Sequence, residues 1–156
     1  MKRYFFTLTA LVAIASASSA KADEIAAAIE LGKTKYATCA ACHGQDGKGM
    51  APAPGMIMAP GYAESSIVDS PEAFALSIMK GIKKVDAKYL GVMAPLEAAL
   101  TDAEIAGIMT YVRNTYKGHT DLVETADVAA WREKYAGRTE PATREELAEI
   151  AAGTAE

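Results

Sequence analysis

Ile25, Ile29, Gly32 and Tyr36 follow one another at spacings of four, three and four, the repeat of a single helix face, in an alanine-rich stretch of high helix propensity. The spacing predicts a first helix from about Asp23 to Ala40. Gly44, Gly47, Gly49, Pro52, Pro54, Gly55, Pro60 and Gly61 then fall within eighteen residues, too many breakers for a regular element. A loop this long in a compact domain is expected to wrap a ligand or carry function. Ser70-Pro71-Glu72 supplies an N-cap and a first-turn proline, and Phe74, Ile78 and Ile82 form the stripe of a second helix of about ten residues. Gly91-Val92-Met93-Ala94-Pro95-Leu96 reads as irregular. Thr101 to Glu104 is a capping box, and Ile105, Ile108, Val112 and Thr115 or Tyr116 continue a third helix to a stop at Gly118. Beyond it come a helix around Val128, Trp131 and Tyr135 and another opening at Thr143-Arg144-Glu145-Glu146, separated by Gly137 to Pro141. Sustained period-two alternation is missing, so the pattern predicts an all-α fold without a sheet.

The extreme amino terminus has a different build. Lys2 and Arg3 precede an uncharged apolar stretch from Tyr4 to about Ala17, followed by small residues and Ala20-Lys21-Ala22 as a cleavage signal. This is the organisation of a secretory signal peptide over residues 1–22, and its apolar run is shorter than the roughly 20 residues of a membrane span. Export to a bacterial periplasm and a mature chain without a transmembrane segment are the expectation. Cleavage before Asp23 leaves thirteen basic residues against twenty acids, net -7, with the excess concentrated after residue 100. A chain of that sign does not neutralise phosphates, so nucleic acid is excluded as a partner. At 156 residues it holds one domain of ordinary size, here residues 23–117, with an acidic helical extension over 118–156.

Both cysteines of the chain lie in Cys39-Ala40-Ala41-Cys42-His43, the C-x-x-C-H spacing of c-type haem attachment. Two thiols about one helical turn apart add to the two vinyl groups of haem, and the adjacent imidazole meets the iron. A closed zinc site needs a fourth ligand and has to recruit His119. A redox C-x-x-C needs a strand and a βαβ frame, which the pattern lacks. Haem is the reading that motif, exported chain and preceding helix share. A second ligand to the iron must come from elsewhere, and a methionine thioether opposite imidazole favours the ferrous state. Met79 and Met109 fall in predicted helices as core filler, which leaves Met50, Met56, Met58 and Met93 in loops.

These residues resemble the class I c-type cytochromes over about residues 26 to 117. The likeness rests on Gly32 and Tyr36 ahead of Cys39-Ala-Ala-Cys-His43-Gly44, on Gln45-Asp46-Gly47-Lys48-Gly49, on the helix after Ser70-Pro71-Glu72, and on Gly91 to Leu96 before Tyr111-Val112-Arg113. It implies a helical fold wrapped around one covalent haem c, bound through Cys39 and Cys42, with His43 and Met93 as axial ligands and Tyr36 among the cofactor contacts. It also implies that the first and last core helices cross with Gly32 against Tyr111. A proline carbonyl, Pro60 in preference to Pro54, would receive the His43 N–H and fix the ring.

Two strong axial ligands leave the iron no open position, and no Ser-His-Asp constellation competes. The expected function is single-electron transfer in a periplasmic chain by a protein that is not an enzyme in its own right. Its partners would be redox proteins, a dehydrogenase or terminal oxidase, drawn to lysines at 48, 80, 83, 84 and 88. A haem c subunit of a larger oxidoreductase is the alternative that the extension suggests, and a gas-binding or sensory haem protein the alternative of another class. His119 is expected in solvent. The apolar face of Val128, Trp131 and Tyr135 must bury on the protein's own haem domain or on a partner.

Overall fold

The computed structural model describes residues 8–84, 89 and 91–154, the side chains of 8–18 excepted. Lys2 and Arg3, the charged start of the expected signal peptide, and Lys88 of the expected basic rim lie outside the described residues. Seven helices follow in order among them: α1 Leu8–Lys35, α2 Ala37–His43, α3 Ser66–Asp69, α4 Pro71–Lys80, α5 Asp102–Lys117, α6 Thr125–Lys134 and α7 Arg144–Ala152. Extended backbone is confined to isolated bridges, and the fold is all-α. No helix of the described residues is long and apolar enough to cross a membrane.

The first helix differs from its expected span of Asp23 to Ala40. It starts upstream at Leu8 and stops at Lys35, and the cysteines ride on a separate element, α2. The cause is a tightened turn at Tyr36, whose carbonyl accepts both the Cys39 amide at 2.9 Å and the Ala40 amide at 2.9 Å. Sharing one acceptor between i+3 and i+4 donors winds the chain toward 3₁₀ geometry and re-aims the turn that follows. The short α3 gave no sequence signal. The remaining helices fall where caps and periodicity place them. Thr101 and Thr143 each complete a reciprocal capping box with Glu104 and Glu146, and the Ser70 hydroxyl accepts the Ala73 amide ahead of Pro71 at the first turn.

The principal contact of the fold is the crossing of α1 over α5. At Gly32 the two backbones meet directly: a Cβ there would stand 1.9 Å from the Gly107 carbonyl oxygen and 2.7 Å from Tyr111 Cβ. Gly32 and Tyr111 are therefore neighbours as expected, with Gly107 as the second half of a glycine pair. The salt bridge from Lys35 to Glu104 (2.5 Å) fastens the same crossing from outside. Beneath it lies a core of Tyr36, Phe74, Ile78, Met79, Ile105, Ile108, Met109 and Val112. Met79 and Met109 are wholly buried there and are core residues, as read from their helices.

The segment after Gly118 packs back on this core. Val128 of α6 is fully buried, with Trp131 and Tyr135 half-buried beside it, and Leu147 of α7 closes a second cluster with Ala73, Leu76 and Ala142. Arg113 of α5, 3% exposed, ties the start of this segment by donating to the Val68 and Asp69 carbonyls and to the Asp121 carboxylate at 2.7–2.8 Å.

The crossing yields a discriminating prediction. Gly32→Ala places a methyl inside a backbone oxygen that cannot move aside, whereas the nearest atoms to a Cβ at Gly107 stand at 3.1–3.2 Å and one is a leucine side chain. Overpacking costs typically 1–3 kcal/mol, so Gly32→Ala should lose about 3 kcal/mol or more in denaturant unfolding and Gly107→Ala about 1 kcal/mol.

Candidate functional site

One cavity of about 280 Å³ opens among α2, the loop that follows it, α4 and the segment around Met93. Cys39, Cys42 and His43 enter it from α2 and Met93 from the other loop, with Phe74, Ile78, Ile82, Leu96 and Ile108 as apolar wall. Lys83, Lys84 and Arg144 line it as cations. The sequence-derived set Cys39, Cys42, His43, Met93 and Pro60 is thus brought to a single cavity. Tyr36 is not: it is buried behind α2, where its hydroxyl donates to the Gly44 carbonyl at 2.7 Å. It braces the end of the motif rather than walling the cavity.

His43 Nδ1 lies 3.0 Å from the Pro60 carbonyl oxygen. Since a carbonyl only accepts, Nδ1 carries the proton and Nε2 keeps its lone pair, the form in which imidazole binds a metal. Burial pushes the His43 pKa below its ordinary value, the Pro60 bond opposes that and the Arg144 charge adds to it. The ring is therefore neutral at pH 7. The loop from Gly44 to Gly61 turns tightly enough to bring Pro60 under the ring because its glycines let backbones touch. The Gly49 amide donates to the His43 carbonyl at 2.8 Å with φ +89°, and a Cβ at Gly49 would stand 2.3 Å from the Ala59 oxygen.

Cys39 and Cys42 are free, half-buried thiols. Burial pushes the Cys39 thiol up to about 11, so the folded chain presents a poor nucleophile at neutral pH. Among the described residues no three His, Cys, Asp or Glu side chains converge as a zinc site requires. His119 is outside the cavity. It is half-buried rather than free in solvent, with Nε2 2.9 Å from Asp69 Oδ1. Of the loop methionines, Met58 and Met93 line the cavity, while Met50 and Met56 are exposed.

Three contributors gave no sequence signal. Tyr62, two residues after Pro60, stacks on the His43 ring with centroids 4.5 Å apart and planes 18° apart, and it is 6% exposed. Arg144 reaches the cavity from α7, and its guanidinium carbon lies 5.0 Å from the Tyr89 ring centroid. Gly107 is the third. Tyr62 sits in a breaker-rich loop where no periodicity assigns it a face, and the Arg144 contact depends on how the last helix folds back. One member of the expected lysine rim needs correction. Lys80 is 7% exposed and bonded to Glu97 at 2.5 Å, because α4 buries the face that carries it.

A family model of cytochrome c matches residues 29–116. The chain belongs to the cytochrome c family. It is also similar to the cbb3-type cytochrome c oxidase subunit CcoP of Rubrivivax gelatinosus, 60% identical over 37 residues. That match covers 24% of this chain, and the chain spans 12% of the length of that relative. Family membership brings with it haem c, iron and electron transport. The residues present fit that group. Two thiols would suit its vinyls, a neutral imidazole its iron and an apolar cavity its ring.

The His43 ring is held by one hydrogen bond and one stacked face, which separates their contributions. Tyr62→Ala removes a buried ring and leaves a void against the imidazole, so denaturant unfolding should register a loss of about 3 kcal/mol.

Proposed function

We propose that the protein is a single-electron carrier holding one haem c through thioether bonds at Cys39 and Cys42, with His43 and Met93 as axial ligands. The observation that carries this reading is the meeting of both thiols, an oriented neutral His43 and Met93 in one apolar cavity. Bound haem supplies a one-electron ferric–ferrous couple. The chain's residues do the rest. Pro60 and Tyr62 hold the imidazole, Met93 closes the sixth position, and Phe74, Ile78 and Ile108 exclude water so that little reorganises when the charge changes. The domain responsible is residues 23–117. Residues 1–22 act as a cleaved export signal, by their Lys-Arg, apolar and Ala-x-Ala organisation, and the site of action is the periplasm.

A redox protein, a dehydrogenase or terminal oxidase, is the partner. Lys83 and Lys84 are exposed at the cavity and form the cationic docking patch, with Lys48 nearby in sequence to the motif. A second reading, in which the protein serves as a haem c subunit of an oxidase complex, draws on the short similarity to CcoP.

The first test is an absorption spectrum of protein matured in a host that attaches c-type haem. A covalent low-spin spectrum is expected, with the weak long-wavelength iron–sulfur band and no response of the reduced form to carbon monoxide. Met93→Ala should lose the band and bind carbon monoxide. Rapid carbon monoxide binding by the unmutated protein would turn the assignment toward a gas-binding haem protein. Electron transfer to an acidic partner should slow as salt rises, and in the Lys83→Glu, Lys84→Glu double variant that dependence should vanish or reverse.

A further inference from the structure

The segment carrying Met93 has little burial of its own. Val92 is 57% exposed, Ala94 and Pro95 are exposed, and Met93 itself is half-buried. Its position is set by backbone ties: the Gly91 amide donates to the Met58 carbonyl at 3.0 Å and the Leu96 amide to the Ile78 carbonyl at 3.0 Å, and residues from beyond residue 117, outside the family match, brace the segment further on both flanks. On one side, the Met93 carbonyl accepts the Ile82 amide at 2.9 Å. The same short stretch is gripped from its other edge by Ala142: the Lys83 amide donates to the Ala142 carbonyl at 2.8 Å, and the Ala142 amide donates to the Gly81 carbonyl at 3.1 Å. Ala142 is completely buried. Ile82 is thus bridged on both sides, with Met93 and Ala142 as its two neighbours.

On the other side, the loop that leaves Met93 is held by Arg132 of α6. Its Nη1 donates to the Glu97 carbonyl at 3.0 Å and its Nη2 to the Leu100 carbonyl at 3.0 Å, while Nε sits on the Asp102 carboxylate at 2.6 Å. A planar guanidinium with every edge used fixes two carbonyls and a helix start in one orientation.

We propose that the segment after residue 117 is a two-point clamp, through Ala142 and Arg132, that holds the Met93 loop against the cavity and thereby sets how readily the sixth ligand position opens. Arg132 and Ala142 are positioning residues, and the proposal rests on Met93 as the ligand. The physical basis is local stability. A loop with few buried side chains opens with a free energy set by its remaining ties, well below that of global unfolding, and the extension adds to those ties on both flanks of Met93. Loosening either raises the open population without altering the thiol or imidazole side of the site.

The test uses the full, haem-loaded chain and three variants. Arg132→Met keeps the apolar stem and removes the fork, Ala142→Leu forces the fully buried contact apart, and Gly107→Ala is a destabilised control at the α1–α5 crossing. The readouts are the rate at which added imidazole displaces the iron–sulfur band and the hydrogen exchange of the Ile82 and Lys83 amides. Arg132→Met and Ala142→Leu should each raise the displacement rate and exchange at Ile82 at least tenfold, and Gly107→Ala should leave both within about twofold. Unchanged rates in both clamp variants, or equal acceleration in the control at matched global stability, would overturn the clamp. Should the unmutated protein lack the iron–sulfur band, Met93 is not the ligand, and amide exchange then decides alone: faster exchange in both variants sustains the clamp on the loop, and unchanged exchange overturns it.

Discussion

The thiol side of the cavity depends on two backbones touching where α1 crosses α5. The contact between Gly32 and the Gly107 carbonyl brings the helices closer than any side chain allows. That closeness sets where α1 ends, hence where Tyr36 turns the chain, hence where α2 presents Cys39, Cys42 and His43. The same α5 supplies Ile108 to the opposite wall. Thiols and wall are thus placed by one crossing, and covalent attachment to α2 would pin the cofactor against α5 as well. Four tyrosines gather at this junction, with Tyr36 within 5.3–6.2 Å of the Tyr62, Tyr111 and Tyr116 ring centroids. Burial raises the Tyr36 hydroxyl to about 12 and pushes those of Tyr62 and Tyr116 up too, so the cluster stays neutral and acts as packing with polar tips.

The long glycine- and proline-rich loop does for the imidazole what the crossing does for the helices. Its conformation gives His43 a carbonyl acceptor below and a phenol ring alongside, and both are needed for different reasons. The hydrogen bond selects the tautomer and raises ligand basicity. The Tyr62 face restricts rotation of the ring and keeps water from Nδ1. A neutral, oriented imidazole in an apolar cavity binds metal without first losing a proton, so the low pKa that burial imposes on His43 favours ligation.

What could be read from the sequence was local chemistry. Cys39-x-x-Cys42-His43 needs no fold to be recognised, Thr101 and Thr143 announce their helices through capping boxes, and Ser70-Pro71 marks the start of α4. Misread features were those whose cause lies far away in the chain. The break at Tyr36 arises from a shared hydrogen-bond acceptor that leaves no trace in periodicity. Lys80 looked like a rim residue because its neighbours are lysines, yet α4 is enclosed by α6 and α7 and its charge is met by Glu97. Tyr62 and Arg144 lie in a loop and at a helix start, where no face is defined until the chain closes on itself. Met93 came from likeness to a family pattern, and the apolar and polar positions around it would not have separated it from Met58.

The extension changes how the electrostatics of the site should be understood. In the proposed arrangement, a thioether ligand and apolar walls both penalise the oxidised iron, which carries one more positive charge than the reduced form. Lys83, Lys84 and Arg144 act with the same sign, because a cation near the iron destabilises the state of higher positive charge. Lys83 and Lys84 belong to the cytochrome c domain, but Arg144 comes from α7, and Ala142 two residues earlier is bonded to the stretch that bears Lys83. The acidic extension thus delivers its effect on the cavity through a cation. Most of its carboxylates, Glu124, Asp127, Glu133, Glu140, Glu145 and Glu149 among them, are exposed to solvent and line no part of the cavity. Net charge of a segment and the charge it brings to a site are different quantities: residues 118–156 are acidic, yet the charge from them that acts on His43 is that of Arg144.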